Sequence, residues 1–418
     1  MTEKAFTDVV VAGSGIVGIC CALALNEAGF KVLLIDRDEP GQGASYGNAG
    51  VISPWSLVPQ SVPGLWQKIP KWLLKSDGPI AIKPSYLFQL IPWTLRFLWQ
   101  GRIDRMREIS EAMKVLNQNN VGLFKDLLAG TGHESLVQDS YYVHAYRNAD
   151  QANLNSFEYA IRREQGAELE RIDRQELQAM EPALSKDFNA AILIKGQART
   201  LSPGKIGQVL MDKFTRQGGQ FKKAQIEKIQ PTANGKWITS TDQCDLKSDK
   251  IVLSLGAWSK NLLKPLGINV PLEAERGYHL EYANPRIELN HSVMDVDMKI
   301  VASSMAGGLR AAGTAEFAGL DSPPNMKRIK SLNRSVQNML PDLNSTESSH
   351  WMGTRPSFPD SLPCIGESAR LPGLYTAFGH SHFGLMMAPK TGEIISDLVS
   401  GKSPGLDISP YRLERFCN

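Results

Sequence analysis

No apolar run reaches the roughly 18 residues that a membrane-crossing helix needs, so none is expected. The opening MTEKAFTD lacks a basic start followed by an apolar core and a small-residue cleavage site, so a secretory signal is not expected either. Cysteine is scarce: there are five in 418 residues, at 20, 21, 244, 364 and 417, odd in number and in no metal-ligand spacing. Unpaired thiols in a reducing, cytoplasmic compartment are the simple inference. Charge of one sign is also lacking. Lys and Arg total 46 against 43 Asp and Glu, and a net charge of +3 gives no reason to expect a nucleic-acid partner. With 42% hydrophobic and 21% charged residues, the chain reads as globular, long enough for two to three domains at roughly 150 residues each.

One stretch departs from that average. Residues 53–100 hold five of the eight Trp and seven of the 24 Pro, with Lys68, Lys71, Lys75, Lys83 and Arg96 against Asp77. This segment carries +4, which leaves −1 for the rest of the chain. Two readings are open. Its Trp, Leu and basic residues suit a membrane interface, on the inner face of the cell membrane. They also suit a lid and hydrophobic wall over a binding site, or a subunit contact in a homo-oligomer.

The first sixty residues carry the strongest motif. Asp8–Ala12 (DVVVA) has the β-branched run of a buried parallel strand. It leads into Gly13-Ser14-Gly15-Ile16-Val17-Gly18, then a helical stretch to Ala28, then a second strand from Lys31 to Ile35 that ends at Asp36. Strand, glycine turn, helix and strand together make the unit of about 30 residues that binds dinucleotides. Gly13 permits the turn, Gly15 admits a pyrophosphate, and Gly18 lets the helix pack on the strand. The helix N-terminus offers free N–H groups to phosphate, and Asp36 can accept from a ribose diol. The fingerprint alone does not separate NAD from FAD. Gly41–Ile52 is a Gly-rich loop that either offers amides to a second part of the cofactor or lies on the surface.

The fingerprint followed by GASYGNAGVISP resembles the FAD-dependent D-amino-acid oxidase superfamily, most of all its bacterial D-amino-acid dehydrogenases. The resemblance implies FAD contacts at the fingerprint, at Asp36 and Arg37, and along Ala44, Ser45, Asn48, Ala49, Gly50 and Val51. Many members carry Glu where this chain has Asp36. Further implied contacts are Ile226 at the adenine, Ser254 and Gly256 beside the ADP portion, and Gly379. A helix from Gly384 through Leu385, Met386 and Met387 is implied to point its amides at the flavin C2 carbonyl.

Substrate residues are read from two strands. Arg276, Tyr278 and His279 lie close together in the probable strand of 271–282, where alternation puts Arg276 and Tyr278 on one face. An Arg beside a Tyr can hold a carboxylate. Trp351-Met-Gly353-Thr-Arg355-Pro356 resembles the family element whose Arg pairs with the substrate carboxylate, which implies that role for Arg355. His382 is implied to lie near flavin and substrate. His380-x-His382 has no carboxylate or Cys company, so no metal is expected. Glu316 is read as structural.

The expected fold class is α/β, with a discontinuous Rossmann-like FAD domain (1–53, 147–262, 345–418) and an α+β substrate domain with a mixed sheet (54–146, 263–344). One amphipathic helix is expected over 105–129. The expected reaction is oxidative deamination of a D-amino acid to a 2-oxo acid and ammonia, with electrons passed to a quinone or other carrier. The alternatives are a D-hydroxyproline or other secondary-amine dehydrogenase, and an FAD-binding subunit of a larger electron-transfer complex.

Overall fold

The computed structural model describes residues 6–74 and 78–416. Val9, Val10, Val11 and Ala12 are wholly buried, as a parallel strand covered on both faces requires. Their strand, Phe6–Ala12, sits between Asp245–Leu253 and Val32–Asp36, paired in parallel with each. The first sheet runs in the order Cys364–Glu367, Leu374–Phe378, Asp245–Leu253, Phe6–Ala12, Val32–Asp36, Gln220–Lys223. A hairpin, Ile226–Pro231 with Trp237–Thr241, joins it at Asp245–Leu253. Leu374–Phe378 pairs in parallel with Asp245–Leu253, so the C-terminal part of the chain completes the sheet begun at the N-terminus. Helices Ile16–Glu27, Pro203–Arg216 and Gly384–Val399 share one core with the inner face of this sheet.

The second sheet has ten strands and mixed pairing. Its path is Ser348–Ser357, Glu273–Tyr282, Gly308–Phe317, Ile300–Met305, Ser292–Asp295, Val137–Tyr146, Ala190–Thr200, Val51–Ile52. Helix Met326–Met339 packs on one face through Ile329, Leu332, Val336 and Met339. The other face looks toward the glycine turn of the first sheet.

Three expectations are corrected. Ala190–Thr200, expected with the nucleotide-binding portion, pairs with Val137–Tyr146 in the second sheet, and Leu169–Asp173, expected there too, pairs with Ala190–Thr200. Ser348–Ser357 likewise pairs along its whole length with Glu273–Tyr282. The single helix over 105–129 is two, Ile103–Asn117 and Asn120–Leu128. The break falls at Asn119, which takes a left-handed φ of 56°. Asn117 and Asn120 on either side donate to the Ser56 and Ser53 carbonyls at 3.0 Å, so the kink anchors the start of the Trp- and Pro-rich segment.

That segment forms helices Leu65–Leu74 and Leu87–Gln100 with the strand Ile80–Ile82 between them. Leu90 and Trp93 are buried against Phe317, and Trp93 Nε1 donates to the Ser357 carbonyl at 3.2 Å.

Helix Gly384–Val399 crosses Ile16–Glu27 at close range. A Cβ on Gly392 would stand 2.6 Å from the Cys20 carbonyl oxygen, and Ser396 Oγ donates to the Ala24 carbonyl nearby. Gly392→Ala is expected to lower stability by about 1–3 kcal/mol through overpacking, read by urea denaturation.

Candidate active site

A cleft of about 1050 Å³ separates the two sheets. It exceeds the roughly 300–1,000 Å³ of ordinary small-molecule sites, which suits a large cofactor and a substrate together. At one end lie Gly15, Ile16, Val17, Asp36 and Arg37. A Cβ on Gly15 would meet nothing within 4 Å, so the backbone there faces open space. Helix Ile16–Glu27 has no side-chain cap and no acidic residue in its first turn, which leaves its N-terminal amides for an anion. Asp36 Oδ2 accepts from the Ser14 N–H at 2.6 Å and Oδ1 from the Asp38 N–H at 3.1 Å. Each oxygen keeps a lone pair for a diol. Arg37 lies over the Trp258 ring at 4.5 Å, with Ile226, Ser254 and Gly256 beside it in the same wall.

Gly13, Ser14, Gly18, Gly50 and Met387 do not line the cleft. Gly13 has a φ of 108°, and a Cβ there would reach the Ser254 carbonyl oxygen at 2.5 Å. One on Gly18 would overlap the Gly13 carbonyl. These two glycines serve the turn and the helix packing. Gly50, at φ 85°, takes a bond from its amide to Asn48 Oδ1 and shapes the loop that presents Ala44, Ser45, Asn48, Ala49 and Val51 to the cleft.

Mid-cleft, a loop from Gly379 feeds helix Gly384–Val399. Gly384, Leu385 and Met386 line the cleft, and their amides precede the first intrahelical acceptor. The Met387 amide already donates to the Phe383 carbonyl at 3.0 Å, so it belongs to the helix and not to the expected flavin contact.

The substrate end is organised by Glu275, a residue not read from the sequence. It is 3% exposed. Its Oε1 accepts from Arg355 Nη1 at 2.8 Å and from His382 Nε2 at 2.6 Å; its Oε2 accepts from Ser357 Oγ at 2.9 Å. Burial works to raise the Glu275 carboxyl, but the His382 ring, the Arg355 guanidinium and the hydrogen bonds outweigh it, holding the group well below the carboxylate range. Arg355 Nη1 also donates to the Thr314 carbonyl at 3.0 Å. Thr314 reaches that position with a φ of 62°, a strained backbone at the cleft wall. A Cβ on Gly277 would overlap the Arg355 guanidinium, so this glycine makes the guanidinium's seat.

Arg276 and Tyr278 are placed away from the cleft. Their shared face is the one turned to helix Met326–Met339, where both are 1% exposed. The Tyr278 hydroxyl donates to Glu316 Oε2 at 2.5 Å, and Arg276 lies 3.5 Å from the same carboxylate and donates to the Pro323 carbonyl. Burial and Glu316 push the Tyr278 hydroxyl up to about 12. The alternation was readable, but Glu275, Gly277 and His279 occupy the face that meets the cleft. His279 stacks on Trp351 at 5.3 Å and bonds the Gly47 carbonyl through Nδ1 at 3.1 Å. His380 bonds Thr391 through Nε2, and burial lowers it to about 3. It therefore stays neutral inside the protein, and among the described residues no group of three His, Cys, Asp or Glu could hold a metal.

The model of the family described as DAO, FAD dependent oxidoreductase, matches residues 8–398. The chain belongs to this family. It is 33% identical over 415 residues to the D-amino-acid oxidase of Bradyrhizobium diazoefficiens, covering 98% of each chain. It is 28% identical to the D-amino acid dehydrogenase of Rhizobium rhizogenes, covering 98% of this chain and 99% of that one. The solved glycine oxidase of Geobacillus kaustophilus superposes over 100% of both chains with a TM-score of 0.76 at 20% identity. FAD is the cofactor of this oxidoreductase, and the residues fit it. The open backbone at Gly15, the uncapped helix at Ile16 and Asp36 form a cradle for its ADP half. The amides at Gly384–Met386 lie toward the substrate end.

Gly15→Val is expected to fold but to purify without flavin absorbance, since the new side chain enters space that only the cofactor uses. Full flavin occupancy in that variant would contradict the placement.

Proposed function

We propose that this oxidoreductase oxidises the Cα–N bond of a D-amino acid, yielding a 2-oxo acid and ammonia. The observation that carries the reading is Arg355, seated by Gly277 in the wall of the cofactor cleft. Its planar fork suits a carboxylate. FAD supplies the hydride acceptor for the α-hydrogen. Arg355 orients the substrate by its carboxylate. Val58, Val62, Leu65, Trp93 and Phe97 wall the same cleft with apolar surface that excludes water and receives a side chain. The α-carbon loses its hydrogen with the bonding pair, the nitrogen lone pair forms C=N, and water hydrolyses the imine. The names of the two relatives support the D configuration.

We further propose that the electrons pass to a quinone or other carrier at an anionic membrane surface. Helix Leu87–Gln100 supports this by having two apolar faces. Leu90, Trp93 and Phe97 turn to the cleft, while Phe88 is 80% and Leu95 65% exposed, alongside exposed Leu87, Ile91 and Trp99. Lys83, before the helix, and Arg96, toward its end, are exposed, and Arg102 is exposed and paired with Asp104. Exposed apolar residues with basic neighbours in sequence suit an interfacial helix. No helix among the described residues is long and apolar enough to cross a membrane.

Anaerobic addition of a D-amino-acid panel is expected to bleach the flavin, with the L-enantiomers inert. Bleaching by no amino acid of either hand would refute the reaction. Arg355→Ala is expected to raise KM by about 10–100-fold, the loss of a charged hydrogen-bonded contact, with flavin retained. The protein is expected to sediment with phosphatidylglycerol vesicles, and Phe88→Glu/Leu95→Glu to stay in the supernatant.

A further inference from the structure

Hydride loss from an α-carbon needs a nitrogen lone pair, yet a free amino acid near neutral pH carries an ammonium. Its proton sits on a group more basic than the peptide α-amino range of roughly 7.7–8.0. Something in the site must take that proton. The geometry points to His382, with Glu275 behind it, as the base that deprotonates the substrate ammonium. This rests on the amino-acid reading above.

His382 lines the cleft and its side chain is 39% exposed, so a ligand can reach it. Its Nε2 meets the Glu275 carboxylate at 2.6 Å, and a carboxylate oxygen accepts, so Nε2 carries the hydrogen. That leaves Nδ1 as the accepting atom. The buried anion fixes the tautomer and stabilises the imidazolium that forms. The same Oε1 holds Arg355 at 2.8 Å, which places the carboxylate-binding group and the base on one oxygen. The α-carboxylate and amine of one amino acid are separated by a single carbon, and Arg355 and His382 share one carboxylate oxygen, so a carboxylate held at Arg355 keeps the nitrogen within the neighbourhood of the imidazole. Glu275 on Glu273–Tyr282 contacts His382, Arg355 on Ser348–Ser357 holds the same carboxylate, and His380 lies two residues away in the same loop, bonded to Thr391. His380 is neutral because burial pushes it down. In the step, one N–H bond of the ammonium breaks, Nδ1–H forms, and the electron pair stays on nitrogen. No oxidant is needed.

The test is the pH profile of kcat/KM in the flavin-loaded enzyme. In the natural chain the acid limb is expected well below the substrate amine's own pKa. In His382→Asn it is expected to rise to that pKa and to track it across substrates of different amine basicity. The cost at pH 7 would be about 100-fold or more, recovering at high pH. Glu275→Gln removes the anion that fixes the tautomer, and is expected to lower kcat/KM without carrying the limb up to the substrate amine's pKa. Propionate has the carboxylate but no amine. Its Kd, read by the flavin absorbance shift, is expected to stay within about threefold in His382→Asn, as a base touching only the amine requires. A limb that does not move in His382→Asn, or a rate loss equal at every pH, would overturn the assignment. So would loss of propionate binding in that variant. Turnover of amino acids with an unmoved limb sinks the base alone, whereas no turnover by the natural chain sinks the amino-acid reading and the base with it.

Discussion

A carboxylate buried as deeply as Glu275 is tolerable only when its charge is matched and its lone pairs are filled. Much of the substrate end follows from that requirement. Arg355 and His382 supply the donors on one oxygen and Ser357 on the other. Gly277 is needed because Arg355 must lie flat over the strand that carries Glu275. Thr314 adopts its left-handed φ with its carbonyl accepting from the same Arg355 Nη1 that donates to Glu275. Buried ion pairs contribute little net stability, because desolvation offsets most of their attraction. A less costly core could have been built from apolar residues. The charges are therefore better explained by what they hold in place at the cleft than by what they add to folding.

The cofactor loop depends on the same three strands, Glu273–Tyr282, Gly308–Phe317 and Ser348–Ser357. Arg310 Nη1, from the second sheet, donates to the Tyr46 and Asn48 carbonyls at 2.8 and 3.1 Å. His279 bonds the Gly47 carbonyl, and Trp351 stacks on His279 in a slot where Cβ atoms on Gly47 or Gly353 would overlap the indole. Burial and the Arg310 charge lower His279 to about 4, so the ring stays neutral and its Nδ1–H is available to that carbonyl. The loop that faces the cofactor is thus clamped by residues of the substrate sheet. Its two ends, at Gly41 and Val51, are likewise tied to different sheets: the Gly41 amide bonds the Ser14 carbonyl and Val51 pairs with Arg199.

What was legible in the sequence was local. The glycine spacing of 13–18 and the acid at 36 act within one strand–turn–helix–strand unit, so their consequence can be read without knowing the rest of the chain. Arg355 was legible through its WxGxRP setting. The face of a strand that meets the cleft is a tertiary fact. Period-two alternation paired Arg276 with Tyr278 correctly but could not say which side held the cofactor, and both belong with Glu316. Glu275 was invisible for a related reason. A Glu on a strand ordinarily points to water, and nothing adjacent in sequence announces that residues 80 and 107 positions away will donate to it. The Asn-Asn pair at 119–120 was a readable turn signal inside the expected long helix, and helical spacing on both sides of it obscured the break.

Helix Leu87–Gln100 of the Trp-rich segment has one apolar face packed inward and another left in solvent. A helix that only covered a cleft would need one apolar face and could turn charge to water on the other. A helix that only met a membrane would not bury Leu90 and Trp93 against Phe317 or bond an indole to the Ser357 carbonyl. Ser357 is also the hydroxyl that holds Glu275. The inner face of the helix therefore touches the residue chain that organises the substrate end, while its outer face leaves large apolar side chains in solvent. Such exposure is costly for an isolated soluble protein and is explained if a partner surface covers it.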